Sequence, residues 1–242
     1  ATSEIYTLSL HDALPIYELS GAGYEPKGEI TLERKSTDIK EHTTIYKILK
    51  AGVLCNDSSV VFKEGRYIIE GDPTEGALIV SAQKGKLNPE ELVENFTRID
   101  SIPFESDRQY MATLHKYEEK QEIYVKGSLE RVLEMCKGVD VASIEEEAKR
   151  LASEGLRVWA FACKEGGNEA DPLEHMRINK EKELTFLGLQ AMLDPPREEA
   201  IKAVELCKQA GINIKMIKGN YSITPSAISA QLALNRGTKS IT

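Results

Sequence analysis

The stretch Tyr124-Val125-Lys126-Gly127-Ser128-Leu129-Glu130 could hold an anion. An apolar strand ends on Lys126, Gly127 permits a tight turn, and Ser128 suits the cap of the next helix. Exposed amide N–H groups, a positive dipole end and one ammonium would together hold a phosphate. Strand-Lys-Gly turns are also common in purely structural settings. Three other stretches carry groups of suitable kinds. In Gly71-Asp72-Pro73-Thr74-Glu75 the spacing predicts a helix start with Thr74 as cap. Glu75, in its first turn, is either an ordinary N-terminal acid or an acceptor for an exocyclic amine. Phe104 follows Pro103 among charged residues, either as core or as a stacking platform for a base. Arg157 opens the apolar run Arg157–Ala162, as an ion-pair partner or a ligand contact.

The frame for these residues is read from periodicity and caps. Helices are predicted over 38–56, 74–85, 88–96, 128–137, 143–155 and 196–211. Asn88 caps the third with Pro89 at its first position, and Gly211 stops the last. Within 38–56, Ile45, Ile48, Leu49 and Gly52 share one face. Strand-like runs lie at 29–33, 66–71, 97–104, 110–117, 121–127, 157–165, 184–193 and 212–217. The runs 110–117 and 121–127 flank Glu118-Glu119-Lys120, which suits a hairpin. Helices and strands mix irregularly to about residue 180 and alternate afterwards. The fold class expected is α+β, an antiparallel sheet flanked by helices, followed by the start of an α/β unit. Asp194-Pro195-Pro196-Arg197 marks the junction, since two prolines stiffen a crossing segment.

Bulk properties narrow the partners. The 242 residues suit one large domain or two smaller ones, and 41% hydrophobic with 29% charged residues is a globular composition. A net charge of −8 argues against nonspecific binding to nucleic acid or anionic lipid, so an anionic ligand needs a local basic site. Cys55, Cys136, Cys163 and Cys207 are too dispersed for a zinc site or disulfide framework and are expected as reduced thiols. No apolar run approaches a membrane span.

Taken in order, GDPTEGAL (71–78), PFESDRQYM (103–111), YVKGSLERVLEMC (124–136) and GLRVWAFA (155–162), preceded by CNDSS (55–59), resemble the nucleotide-binding domain of the P-type ATPases. The version is similar to type II cation pumps, the calcium and sodium/potassium group. The likeness runs on through LGLQAMLDPPREEAIKAVELCKQAGINIKMI (187–217), which resembles the start of their phosphorylation domain, a haloacid-dehalogenase-like α/β unit. The resemblance implies a nucleotide-binding domain over 17–190 and a truncated phosphorylation domain over 191–242. It implies that ATP is bound, with Mg2+ in the complete protein. Phe104 would stack on adenine, Glu75 would lie near its amino group, and Lys126, followed by Gly127, would stand at the mouth of the pocket. Arg157 would reach the phosphates, and Asp194 and Arg197 would sit at the hinge. The implied parent is an ion-translocating ATP hydrolase. Its partners would be the remaining phosphorylation, actuator and transmembrane domains, with this chain a cytoplasmic part of an integral membrane protein.

Three departures qualify the likeness. Gln109 stands where the family often carries lysine, with Arg108 adjacent. Lys218, Gly219 and Asn220 stand where the family has Thr-Gly-Asp, so a phosphate contact there falls to Lys218 and Gly219. The chain holds neither the Asp-Lys-Thr-Gly phosphorylation motif nor the later Gly-Asp-Gly magnesium motif. The expectation is therefore ATP binding without phosphoenzyme formation. The alternative is a stand-alone, non-catalytic nucleotide-binding module; a haloacid-dehalogenase-like phosphatase would need an Asp-x-Asp nucleophile motif that is not present. Residues 1–16 fit no element pattern. Thr7–Ile16 is encoded without mismatch by the text of a common sequencing-library adapter, so 1–16 is expected to be an adapter-derived segment that says nothing about the fold and holds no site.

Overall fold

A computed structural model describes residues 5–8, 15–21, 23–166, 172–177, 181–193 and 198–212. Runs of β-branched and aromatic residues pair edge to edge because each antiparallel neighbour satisfies backbone groups that burial would otherwise leave unmet. The strands are β1 (Ile5–Leu8), β2 (Ile16–Leu19), β3 (Ile30–Leu32), β4 (Lys35–Ser36), β5 (Ser59–Lys63), β6 (Arg66–Glu70), β7 (Thr97–Ile102), β8 (Tyr110–Tyr117), β9 (Lys120–Gly127), β10 (Leu156–Gly166) and β11 (Thr185–Leu193). Nine form one antiparallel sheet in the order β4-β3-β2-β1-β11-β10-β9-β8-β7, and β5 and β6 form a separate hairpin.

The helices are α1 (Thr43–Leu54), α2 (Pro73–Lys84), α3 (Pro89–Asn95), α4 (Leu129–Glu134), α5 (Val141–Ser153), α6 (Glu174–Arg177) and α7 (Glu198–Gln209). They divide between the two sheet faces. Ile45, Ile48 and Leu49 of α1 and Leu78 of α2 meet Met111, Tyr124 and Phe161 on one face. Val132 of α4 and Ile144 and Leu151 of α5 meet Ile123, Val125 and Ala160 on the other. The two-residue alternation of a strand produces this split: Tyr124 and Lys126 point one way, Ile123 and Val125 the other. Each fully buried Ile or Leu of α1 contributes about 1.5–3 kcal/mol.

Local chemistry moves several predicted boundaries. Asp72, not Thr74, caps α2: its carboxylate accepts from Thr74 N and Glu75 N at 2.8 and 3.1 Å, with Pro73 at the first helical position. Asp140 likewise caps α5, which begins at Val141, two residues before the expected start, and Ser143 donates to it. The predicted helix 38–56 splits at His42 into a short 3-10 turn, Ile39–Glu41, and α1. The predicted helix 128–137 stops at Glu134, because Cys136 bridges to Leu184 and Lys137 N donates to Leu184 O. The β8–β9 turn uses Glu118 and Glu119 alone, with Lys120 paired to Tyr117. Strand β5 was not predicted; Glu64 and Gly65, both with positive φ, turn it back on β6.

Strand β11 runs to Leu193, and Ala191 and Met192 pair with both β1 and β10, three residues past the boundary expected at 190. Strand β1, inside the segment expected to be adapter-derived, pairs with β2 and β11. A strand edge offers N–H and C=O groups to almost any extended segment, whatever its origin. Asp194, Arg197, Lys218, Gly219 and the strand predicted at 212–217, apart from Ile212, lie outside the described residues, as does most of the expected α/β unit. No helix among the described residues is long and apolar enough to cross a membrane.

Candidate functional site

Four of the predicted residues meet at one end of the sheet face covered by α1 and α2. The start of α2 gathers Glu75, Lys126 and Arg157, and Phe104 joins them through Trp159. Lys126, on β9, is fully buried; its ammonium is 2.5 Å from Glu75 Oε1 and donates to Cys55 O at 2.5 Å. Arg157, at the start of β10, donates to Thr74 Oγ1 at 3.2 Å, one residue before Glu75. Its guanidinium lies 5.7 Å from the ring of Trp159, the next residue on the same strand face. Phe104, in the segment after β7, meets Trp159 edge to face with centroids 6.1 Å apart, and it remains 47% exposed. An exposed aromatic ring, a guanidinium and a half-open helix start thus stand together.

The Glu75 carboxylate is already well partnered. Oε1 takes Lys126, while Oε2 accepts from Asp57 N at 3.0 Å and Ser58 Oγ at 3.3 Å. The loop after α1 supplies these donors and is itself tied down. Asn56 Nδ2 donates to Gly52 O and Glu75 O, and Ser58 Oγ bridges Asp72 O and Asp72 N. Burial pushes the Cys55 thiol up in pKa against the pull of the Lys126 ammonium, so Cys55 stands beside it as a neutral thiol. Among the described residues no group of three His, Cys, Asp or Glu side chains could hold a metal ion.

The phosphate pocket predicted around Lys126 and the following helix does not form. Lys126 pairs with Met111 and Phe161 on the α1/α2 face, whereas Val132 and Leu133 of α4 pack on the other. The ammonium and the α4 start therefore lie on opposite sides of the sheet. Gly127 has a packing reason instead: a Cβ there would lie 2.5 Å from Gln109 O and 2.8 Å from Tyr110 Cα. Gln109 holds φ +59°, its carbonyl accepts from Ser128 N at 2.9 Å, and its side-chain oxygen faces Ser128 Oγ at 3.5 Å. Gln109 and Gly127 thus join β8, β9 and α4.

Two contributors escaped the sequence. Arg98 of β7 pairs with Asp57 at 2.6 Å and donates to Leu54 O and Asn56 O, closing the end of α1 beneath the loop that holds Glu75. Nothing in its neighbours signals this, because its partners are 41–44 residues distant. Trp159 was legible only as part of an apolar strand.

Comparison with known proteins gives the site a context. The family described as P-type ATPase, cytoplasmic domain N, matches residues 44–199. A cation-transporting ATPase of Synechocystis sp. is 42% identical over 90% of this chain and 25% of its own length. A calcium-transporting ATPase of Bacillus subtilis is 34% identical over 90% and 26%. A sodium/potassium exporting P-type ATPase of Schizosaccharomyces pombe is 36% identical over 77% and 19%. The chain spans about a quarter or less of the length of these relatives.

Proposed function

Because the chain belongs to the P-type ATPases, through their cytoplasmic domain N, we propose that it is the ATP-binding part of a type II cation pump. The observation that carries this is the group of Phe104, Trp159, Arg157 and Thr74 at the open end of one sheet face. Phe104 presents a half-exposed ring on which a purine can stack. Arg157 is the nearby cation for the phosphates, with a planar fork suited to their oxygens. Glu75 and Lys126 form the inner wall. Their mutual pair means that an adenine amino group meets a carboxylate already neutralised, so it gains one shared acceptor rather than a free charge.

Asp194 and Arg197 are proposed at the hinge to the next domain, and Lys218 and Gly219 at a second phosphate contact. The parent pump would transfer the γ-phosphoryl group of ATP to an aspartate and couple the cycle to cation movement across a membrane. Positioning and a metal at the transferred phosphate dominate such transfer. Within that cycle, the part proposed for this chain is to bind and orient the nucleotide, which the aromatic ring and guanidinium beside the start of α2 support. Magnesium would be held by the complete pump. The experiment is equilibrium dialysis of ATP against the 242-residue chain with adenosine and tripolyphosphate as competitors. Both halves are expected to displace ATP; failure of the parent chain to retain ATP overturns the proposal.

A further inference from the structure

Trp159 stands in the group that carries the nucleotide-binding proposal without a contact to the ligand assigned to it, and it touches both residues on which that proposal depends. Its ring meets Phe104 at 6.1 Å and an interplanar angle of 73°, inside the range of about 4.5–7 Å where edge-to-face pairs attract. The Arg157 guanidinium lies 5.7 Å from the same ring, within about 6 Å where a cation is drawn to an aromatic face. Phe104 stands in a segment without regular structure, and among the described residues Arg157 otherwise donates to the Thr74 hydroxyl. Each would turn through several rotamers without a fixed neighbour.

Trp159 is fixed. It lies mid-strand on β10 opposite Gln190, whose side chain bonds Ser81 and Ile48 O, and it packs against the core under α1 and α2. Its indole Nε1 is buried with no hydrogen-bond partner among the described residues. A ring needed only for packing would avoid that orphan donor by being Phe or Leu.

We propose that Trp159 is the positioning residue of the nucleotide site, its one ring setting Phe104 for the base and Arg157 for the phosphates. The inference rests on the ATP-binding proposal. Trp159 is the chain's only tryptophan, so its emission reports the site directly.

The test titrates the 242-residue chain with ATP, adenosine and tripolyphosphate, comparing Trp159→Leu, Trp159→Phe, Phe104→Ala and the Phe104→Ala/Trp159→Leu double variant. Expected results are a saturable change in parent emission on adding ATP and a loss of roughly tenfold in ATP affinity for Trp159→Leu. That variant also weakens both adenosine and tripolyphosphate. Trp159→Phe, which keeps a ring and a native unfolding midpoint, recovers most of the loss. On adenosine the double variant is weaker than Phe104→Ala by much less than tenfold, since both act through one contact. A merely structural ring would lower the unfolding midpoint and leave both partial ligands bound as before. If Phe104→Ala weakens adenosine while Trp159→Leu changes neither ligand, the inference falls and ATP binding stands. If the parent binds no ATP, both fall.

Discussion

At the scale of single residues, the pair Lys126–Glu75 decides more than either member alone. Both charges are largely withdrawn from water, with side chains 1% and 16% exposed. Removing one partner strands the other, which for buried pairs costs about 3–5 kcal/mol. Lys126→Met is therefore expected to lower the unfolding free energy by about 3 kcal/mol in a urea titration, and Lys126→Met with Glu75→Gln to recover much of it. A single-variant loss below about 1 kcal/mol would contradict a stabilising pair. His115 makes a pH prediction. Its Nδ1 donates to Phe96 O at 3.0 Å. Burial holds its pKa below 6.5, with Arg98 adding to the effect and the Phe96 and Leu54 carbonyls and Glu122 opposing it. The unfolded chain then binds the extra proton first, so stability is full above pH 6.5 and falls as the pH drops toward the folded-state pKa. His115→Gln is expected to flatten stability between pH 7.5 and 5; an unchanged slope would contradict it. Burial raises the Glu122 carboxyl, but bonds from Tyr124 and Lys50 outweigh it and hold it below 4.5, in a separate window. The sequence made Phe104, Glu75, Lys126 and Arg157 legible by type and order. It could not show that Lys126 faces Glu75 rather than open solvent, because that depends on which sheet face α2 covers.

At the scale of elements, the helix starts were readable wherever a short polar side chain precedes proline or an apolar run, as at Asn88-Pro89. They were misplaced where two candidate caps compete. Asp72 prevails over Thr74 because Pro73 fits the first turn and a carboxylate is the stronger acceptor. Strand β5 was hidden because its residues are half exposed and its turn rests on positive φ at Glu64, which no propensity favours. The junction of β8, β9 and α4 carries an element-scale prediction. A Cβ at Gly127 would strike backbone atoms of Gln109 and Tyr110, which cannot yield as a flexible side chain would. Gly127→Ala is expected to lose about 1–3 kcal/mol of stability, read from the denaturation midpoint. A neutral substitution would mean that glycine at 127 serves something other than packing. The same substitution leaves Phe104 and Arg157 in place, so folded protein is expected to keep its ATP affinity.

At the scale of the whole molecule, an antiparallel sheet flanked by helices was foreseeable from the order of runs. Its strand order was not. Strands β1 and β11 are neighbours across more than 170 residues of chain, and only tertiary pairing sets that register. A net charge of −8 also frames the site, because it leaves Arg157 as a local exception rather than part of a basic surface. The proposed site accordingly relies on stacking as well as on charge. Calorimetric titration of ATP into the parent chain and into Phe104→Ala measures that directly. Saturable binding to the parent, weakened by about 1–3 kcal/mol in Phe104→Ala, is the predicted result; equal affinity in the two chains would contradict the account.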